Sequence, residues 1–257
     1  MSKYLSILFL FFFLSFSESG AQINPRIGEW RVESSKLIVR AMNSFGDEVY
    51  AGTSGGLVIY SPKGAKTITV IDGLSSLDIL SMAVDKRGIV ILGMNSPTGN
   101  IDFYSSSDGS INSIDENLTK ITALTVAGDS IFAGFIAQDQ IGVLLITYDL
   151  NSNRYQFRDS FLNFPQGFSF SEVVSISVIK DSLYLGTDMG LLSASILGDN
   201  LKDPASWAHL KINAGEEELV NAIGLAEGKL IVALKRGVFR RDKHLGFRTE
   251  FTLLYLW

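Results

Sequence analysis

The chain has 257 residues, a formal net charge of −5, 24 glycines, 5 prolines and no cysteine. The acidic balance leaves no basic surplus that would attract nucleic acid. The lack of cysteine excludes disulfides, zinc–thiolate sites and thiol nucleophiles, and the length suits one repeat array or one large core.

The N-terminus has the pattern of a secretory signal peptide. A short positive start, Met1–Tyr4, precedes an almost wholly apolar stretch from Leu5 to Phe16. Ser19-Gly20-Ala21 then matches a small-x-small cleavage pattern, which predicts a signal peptide over residues 1–21 and Gln22 as the first mature residue. The alternative is a membrane anchor, but twelve helical residues span only about 18 Å of a hydrocarbon core of about 30 Å. We therefore expect a periplasmic or extracellular protein without a membrane span in the mature chain.

A strand-rich block, in most cases anchored by a glycine, then occurs five times. Residues 22–33 form a leading segment, in which Glu29–Glu33 has the pattern of an outer strand. The first block, Gly46–Leu57, has its clearest echo at Lys180–Leu191. Each block contains an apolar run, and the last residues of these runs lie 41 to 52 positions apart, at Gly52, Gly93, Gly134, Gly186 and Ala233. Strand-rich repeats of this length are typical of β-propeller blades, each a radial sheet of four short strands.

Each repeat predicts the same order of strands. An alternating inner strand is followed by a turn, a nearly continuous apolar strand, a third strand and a more polar outer strand. Eleven residues before the five anchors, on the inner strands, lie Ala41, Met82, Ala123, Ser175 and Ala222. Four of these five are small, as crowding near a central channel would require.

The repeats predict an all-β fold of about five blades that do not close into a ring. The blades are expected at residues 34–78, 79–119, 120–171, 172–218 and 219–257. The fifth repeat has its own outer strand near Arg248–Leu253, so the leading strand has no blade to complete. The apolar run Leu253–Trp257 also suggests a truncated array. We expect radial four-stranded antiparallel sheets in an open arc, with unpaired faces on the first and last blades.

One segment carries a family resemblance. Asp72–Gly88 resembles the two-component-regulator propeller repeat, whose typical pattern runs from "GLSSN" through "D-x-x-G" to "W-I-G-T". Val90 stands where that family has tryptophan, and Met94 where it has threonine. With the exported start, the stretch Gly28–Arg31 looks like the N-terminal propellers of exported proteins from bacteria with type IX secretion. The resemblance implies either a secretion-associated surface or periplasmic protein, or the periplasmic sensor domain of a hybrid histidine kinase.

The sequence offers few residues for catalysis. Its two histidines, His209 and His244, adjoin no plausible nucleophile or metal-ligand spacing. The loop Gly52–Gly56 lacks the Lys-Ser/Thr of a phosphate-binding loop, so we expect a structural turn. Glu216-Glu217-Glu218 and the basic cluster Arg240-Arg241 with Lys243 are expected to be solvated loops, and Asp102, Asp108 and Asp115 are not at calcium-loop spacing. Asn117-Leu118-Thr119 is a glycosylation sequon, which has meaning only in a eukaryotic secretory route that the cysteine-free exported chain disfavours. The basic cluster has a functional alternative, the docking of an anionic glycan or lipid.

These observations predict a non-enzymatic extracytoplasmic propeller that binds or scaffolds a partner. The expected partner is a protein, glycan or small ligand at the loops between blades, with no cofactor and no metal. The first alternative is the kinase sensor domain. The second is a propeller hydrolase or lyase, which would need clustered histidines, carboxylates or metal ligands at one mouth of the channel.

Overall fold

The computed structural model describes residues 32–95, 99–138, 140–212, 218–242 and 246–252. Residues 251 and 252 are described by their backbone alone. The predicted signal peptide lies outside these residues, as does the leading strand apart from Val32 and Glu33. Among the described residues there are two 3-10 turns, Val70–Asp72 and Pro204–Ser206, and no α-helix. Hence no helix of that part of the chain is long and apolar enough to cross a membrane.

Twenty strands form five four-stranded antiparallel sheets, and in each sheet the strands pair in chain order. Sheet 1 contains β1 (Val39–Phe45), β2 (Glu48–Thr53), β3 (Gly56–Ser61) and β4 (Gly64–Ile68). Sheet 2 contains β5 (Ile79–Val84), β6 (Ile89–Met94), β7 (Ile101–Ser105) and β8 (Ile111–Ile114). Sheet 3 contains β9 (Lys120–Ala127), β10 (Ser130–Ala137), β11 (Gln140–Asp149) and β12 (Arg154–Phe161). Sheet 4 contains β13 (Val173–Ile179), β14 (Ser182–Thr187), β15 (Gly190–Ser195) and β16 (Trp207–Leu210). Sheet 5 contains β17 (Val220–Ala226), β18 (Lys229–Leu234), β19 (Gly237–Asp242) and β20 (Gly246–Thr252).

The sheets stack face to face along the chain. The inner strands β1, β5, β9, β13 and β17 contact one another in that order, and no contact of comparable extent joins β1 to β17. Four apolar clusters fill the spaces between consecutive sheets. The second strands of sheets 2, 3 and 4 are therefore buried on both faces, which explains their nearly continuous apolar sequence. The expected open β-propeller of four-stranded blades is confirmed.

The anchor glycines lie where neighbouring sheets approach most closely. Each of the first four faces the first or second residue of the next inner strand, and that residue is always β-branched and fully buried. A Cβ at the glycine would lie 2.5–2.8 Å from this side chain, in the pairs Gly52–Ile79, Gly93–Ile121, Gly134–Val173 and Gly186–Val220. Since real Cβ atoms do not approach so closely, the repeated glycine sets the distance between sheets.

A β-bulge in every inner strand accompanies this contact. The strand register shifts by one residue next to the anchor in all five sheets. In three sheets a hydroxyl at or beside the bulge donates to a carbonyl of the first or second residue of the next inner strand. The distances are 3.2 Å from Ser81 to Ile121, 2.6 Å from Thr122 to Val173 and 3.4 Å from Ser175 to Val220. The bulge therefore aims a polar group at the neighbouring sheet.

Met82, eleven residues before Gly93, does not lie opposite that anchor as its counterparts in the other sheets do. Ser81 pairs with Gly93, because the turn between β5 and β6 is longer than in the other repeats. The residues opposite the five anchors are thus all small: Ala41, Ser81, Ala123, Ser175 and Ala222. Small side chains are favoured at these positions because adjacent sheets approach each other closely at the anchor and the residue paired with it.

The two end sheets differ from the three inner ones. In β1, Val39 and Met42 are exposed by 49% and 64%. In β18, full burial is restricted to the face that packs on sheet 4. The anchor position of sheet 5 is occupied by Ala233, and the described residues place no further sheet against it. The first and last blades thus present apolar surface, as the sequence predicts for an open array.

We expect Gly186→Ala to lower the free energy of unfolding by about 1–3 kcal/mol, because its methyl group would overlap Val220. Gly224→Ala is the matched control. Gly224 lies on the inner strand β17, where an added Cβ meets nothing within 4 Å, so this variant should be neutral or up to about 1 kcal/mol more stable. Urea unfolding monitored by circular dichroism measures both. Equal stability of the two variants would contradict the assigned role of the anchor.

Candidate functional site

The histidine and carboxylate candidates do not converge. His209 lies half-buried on the outer strand β16, with its ring centroid 4.4 Å from that of Phe168. His244, Lys243, Glu216 and Glu217 lie outside the described residues. Glu218 pairs with Arg236 at 2.7 Å. Across the described segments, no group of three His, Asp or Glu side chains is placed to hold a metal ion.

The Gly52–Gly56 loop is a hairpin turn held by a threonine. The Thr53 hydroxyl donates to the Gly56 carbonyl at 2.7 Å and accepts from the Gly55 amide at 3.0 Å. Thr187 does the same in sheet 4, donating to the Gly190 carbonyl at 2.9 Å. Because both hydroxyls are used within the turn, the Gly-Thr ending of the repeat is explained by the hairpin, as expected.

Asp108, Asp115 and the sequon residue Asn117 lie in turns. The Asp108 carboxylate accepts from the Ser110 amide at 3.0 Å and its hydroxyl at 2.8 Å. These bonds lower the pKa of Asp108 to about 2. Asp115 accepts from the amide of Asn117 at 3.0 Å, and Asn117 adopts a left-handed backbone conformation with φ 57°. Both carboxylates act as local turn acceptors.

Asp102 differs, because it is fully buried on β7. The carboxylate accepts from the Ser75 amide at 2.8 Å and the Ser113 hydroxyl at 2.6 Å. It thereby ties the segment that links sheets 1 and 2 to the outer part of sheet 2. Burial raises the pKa of Asp102 above its usual value, although the two hydrogen bonds oppose this shift. The burial of Asp102 was not predicted, because a single polar residue in a strand gives no sign in the sequence of which side chains cover it.

The raised pKa of Asp102 makes its contribution to stability depend on pH. The folded chain binds the proton more tightly than the unfolded chain, so this contribution is present below the ordinary pKa near 3.8 and is lost as pH rises through the raised value. Asp102→Asn removes the titration and keeps an acceptor oxygen. We expect the stability of the wild type, relative to Asp102→Asn, to fall between pH 3.5 and pH 7, as measured by urea unfolding. Parallel pH profiles would contradict this assignment.

A first surface cleft, cleft A, lies between sheets 2 and 3 and has a volume of about 460 Å³. Arg87, Phe103 and Ser107 line one side, and Tyr148 and Tyr155 line the other. The ring centroid of Tyr155 lies 5.1 Å from those of both Phe103 and Tyr148. Aromatic packing therefore joins the two sheets beneath the cleft.

Arg87, which lines cleft A, is paired within the protein. Asp85, whose side chain is fully buried, accepts from the backbone amides of Arg87 and Ile89 at 2.8 Å each. It also accepts from the Arg87 guanidinium and the Tyr155 hydroxyl, each at 3.0 Å. Arg87 reaches Asp129 as well, and its guanidinium lies 3.8 Å from the centre of the Tyr148 ring. This network holds sheets 2 and 3 together and occupies Arg87, one of the charged residues that line cleft A.

We expect Tyr155→Phe to destabilise the protein by about 1–3 kcal/mol, because it leaves the buried Asp85 carboxylate with one donor fewer. Tyr148→Phe is the matched control, since that variant keeps the ring under Arg87 and removes a hydroxyl for which the described residues provide no hydrogen bond. Thermal unfolding should separate the two variants clearly. Similar losses in both would mean that the hydrogen bond from Tyr155 to Asp85 does not contribute to joining the sheets.

A second cleft, cleft B, lies between sheets 4 and 5 and has a volume of about 610 Å³. Its wall combines apolar and charged side chains: Ile179, Tyr184, Leu225 and Leu230 with Lys180, Lys229, Arg241, Glu227 and Asp242. Within the described ranges, none of its three basic side chains forms an ion pair with another residue. With three basic and two acidic side chains, cleft B presents an excess of positive charge beside an apolar wall, and we take it as the candidate binding site.

The predicted basic cluster is divided between two environments. Arg240 and Arg241 are neighbours on β19, so their side chains point to opposite faces of the sheet. Arg240 pairs with Glu250 at 3.1 Å, whereas Arg241 lines cleft B. Sequence reasoning found Arg241 but missed Lys180 and Lys229, which come from two other hairpins. The one sequence feature that could have indicated Lys180 and Lys229 as site residues was their position beside equivalent turns of the fourth and fifth repeats.

Comparison with protein-family profiles and with curated protein sequences gave no match. Solved structures do match. The first is the extracellular domain assigned to hybrid two-component system BT4673 of B. thetaiotaomicron, with TM-score 0.63 and 14% identity over 86% of this chain and 29% of that one. A second structure of the BT4673 extracellular domain, described as a one-component system, gives TM-score 0.58, 17% identity and the same coverage. The extracellular domain of hybrid two-component system BT3049 gives TM-score 0.51, 17% identity and coverage of 85% and 34%.

These likenesses establish a shared fold. The chain spans about a third or less of the length of the structures it matches. Its five repeated sheets therefore correspond to a part of larger extracellular domains. This agrees with the expected relation to two-component-regulator propellers at the level of fold.

Proposed function

We propose that this chain is a non-enzymatic, extracytoplasmic β-propeller module that binds or scaffolds a ligand or partner. The observation that carries this proposal is the likeness in fold to extracellular domains of hybrid two-component systems. The signal-peptide pattern over residues 1–21 supports export on independent grounds. Cleft B supplies a place for a small ligand, with charged groups on a framework of packed strands.

The parent protein has two candidates. The first is a secretion-linked surface or periplasmic protein, for which the association with type IX secretion stays a prediction. The second is the sensor part of a hybrid histidine kinase, and the fold likeness to BT4673 and BT3049 favours it specifically. A sensor would transmit ligand binding to a kinase through a membrane-spanning helix. Sequencing of the coding region that surrounds this chain separates the two, since a sensor requires a downstream helix and kinase motifs.

We expect the exported protein to begin at Gln22, because the apolar stretch is short and is followed by Ser19-Gly20-Ala21. Cell fractionation followed by intact-mass measurement checks both location and processing. Ala21→Leu, which enlarges the last residue of the cleavage pattern, should slow processing and leave a longer, membrane-retained form. Wild-type protein found in the cytoplasm with Met1–Ala21 retained would overturn the extracytoplasmic part of the proposal.

A further inference from the structure

Cleft B draws its positive charge from three different strand ends. Lys180 follows β13, Lys229 begins β18, and Arg241 lies near the end of β19. Residues widely separated in sequence thus meet at one cleft, in a chain whose formal net charge is −5. Local positive charge on an acidic protein would attract anions selectively.

Two acidic residues also line cleft B and must be weighed against these cations. Asp242 already has an interaction partner within the protein. Glu227 is exposed at a hairpin turn and forms no ion pair with the described residues. Three cations against two carboxylates leave an excess of positive charge. An incoming anion would therefore be favoured over a cation.

Two residues of cleft B occupy an unfavourable backbone conformation. The first residue of the hairpin turn has a positive φ in four sheets. Sheets 1 and 3 place glycine there, Gly46 and Gly128, whereas sheets 4 and 5 place Lys180 at φ 55° and Glu227 at φ 50°. A non-glycine residue is disfavoured in this region. The two sheets that flank cleft B thus carry charged side chains at turn positions where glycine would have the lower conformational energy.

The apolar part of cleft B is accessible as well. Leu225 is 54% exposed although it lies opposite Leu230, which is almost fully buried. Tyr184 and Ile179 extend the apolar surface from sheet 4. The described residues provide no hydrogen bond for the side-chain hydroxyls of Tyr184 and Ser182. A ligand could therefore contact an apolar wall and hydroxyl groups at once.

Resting on the function proposed above, we propose that cleft B binds a small organic anion, with a carboxylate, phosphate or sulfate group beside an apolar face. Lys180, Lys229 and Arg241 hold the anionic group. Leu225, Leu230 and Tyr184 contact the apolar face. Cleft A differs in this respect, because its Arg87 is already paired with Asp85 and Asp129. The sources of such a ligand, an acidic sugar, an aromatic acid or a phosphate ester, share this chemistry.

The test uses benzenesulfonate, its neutral analogue benzenesulfonamide and inorganic sulfate as probes. Binding to the purified full-length protein is followed by isothermal titration calorimetry at low and at physiological salt. We expect benzenesulfonate to bind at least tenfold more tightly than benzenesulfonamide, with an affinity that falls as salt rises. Equal affinity for the charged and neutral probes, or no binding of benzenesulfonate at millimolar concentration, would overturn the proposal.

Variants then locate the site. Lys229→Gln with Arg241→Gln should weaken benzenesulfonate binding at least tenfold. Arg248→Gln, on the exposed part of β20 outside the cleft, should leave it unchanged. Leu225→Ser should weaken binding of benzenesulfonate more than that of inorganic sulfate. If Arg248→Gln weakened benzenesulfonate binding as much as the double variant does, the binding would be non-specific attraction to surface charge. That result would overturn the proposed site.

Thermal unfolding of each variant shows whether the fold is retained. The salt dependence of benzenesulfonate binding is measured on the wild-type protein, so this test still applies if a variant unfolds. Failure here is distinguishable from failure of the proposed function. An exported, folded protein that does not discriminate benzenesulfonate from benzenesulfonamide refutes the anion site alone, whereas cytoplasmic retention refutes the extracytoplasmic role.

Discussion

The close approach of consecutive sheets at the anchor glycines is the constraint on which the rest of the structure depends. At Gly52, Gly93, Gly134 and Gly186 the backbone of one sheet meets a buried β-branched side chain of the next. A larger residue would separate the sheets and reduce the contact of the apolar clusters between them. The bulge in each inner strand and the small residue opposite each anchor accommodate the same approach. One local requirement, repeated along the chain, thus produces the stacked array.

The same repetition places the clefts. Stacked sheets are in closest contact near their inner strands, and both clefts are lined by residues at the hairpin turns between first and second strands. The two clefts differ in whether their basic side chains are paired within the protein. Around cleft A, Arg87, Asp85 and Tyr155 form a network that strengthens the contact between sheets 2 and 3. Around cleft B the basic side chains are left for solvent or a ligand. Equivalent places in a repeat protein can therefore serve stability in one case and binding in another.

The sensor role, which is one of the two parent proteins proposed above, would make a specific use of this division. A sensor needs a rigid framework and a site whose occupation alters the packing of neighbouring elements. Because each sheet contacts only its neighbours, a ligand held between sheets 4 and 5 would act on their relative packing. Effects could pass from sheet to sheet through the anchor contacts, such as Gly186 with Val220. The proposed sensor role thus has a physical route, which begins with binding at cleft B.

The sequence by itself determined the repeat, the strand order and the open array, because glycine anchors, alternating patterns and hairpin turns are local signals. It identified the turn role of Gly52–Gly56 for the same reason. It did not show the partner of Gly93, because the chain from Ser81 to Gly93 is one residue longer than between the paired residues of the other repeats. Only the tertiary structure decided that Asp102 is buried, that Asp85 binds Tyr155 from 70 residues away, and that Lys180, Lys229 and Arg241 share a cleft. These contacts join different repeats, and the pattern within one repeat carries no information on which side chains meet across the space between two sheets.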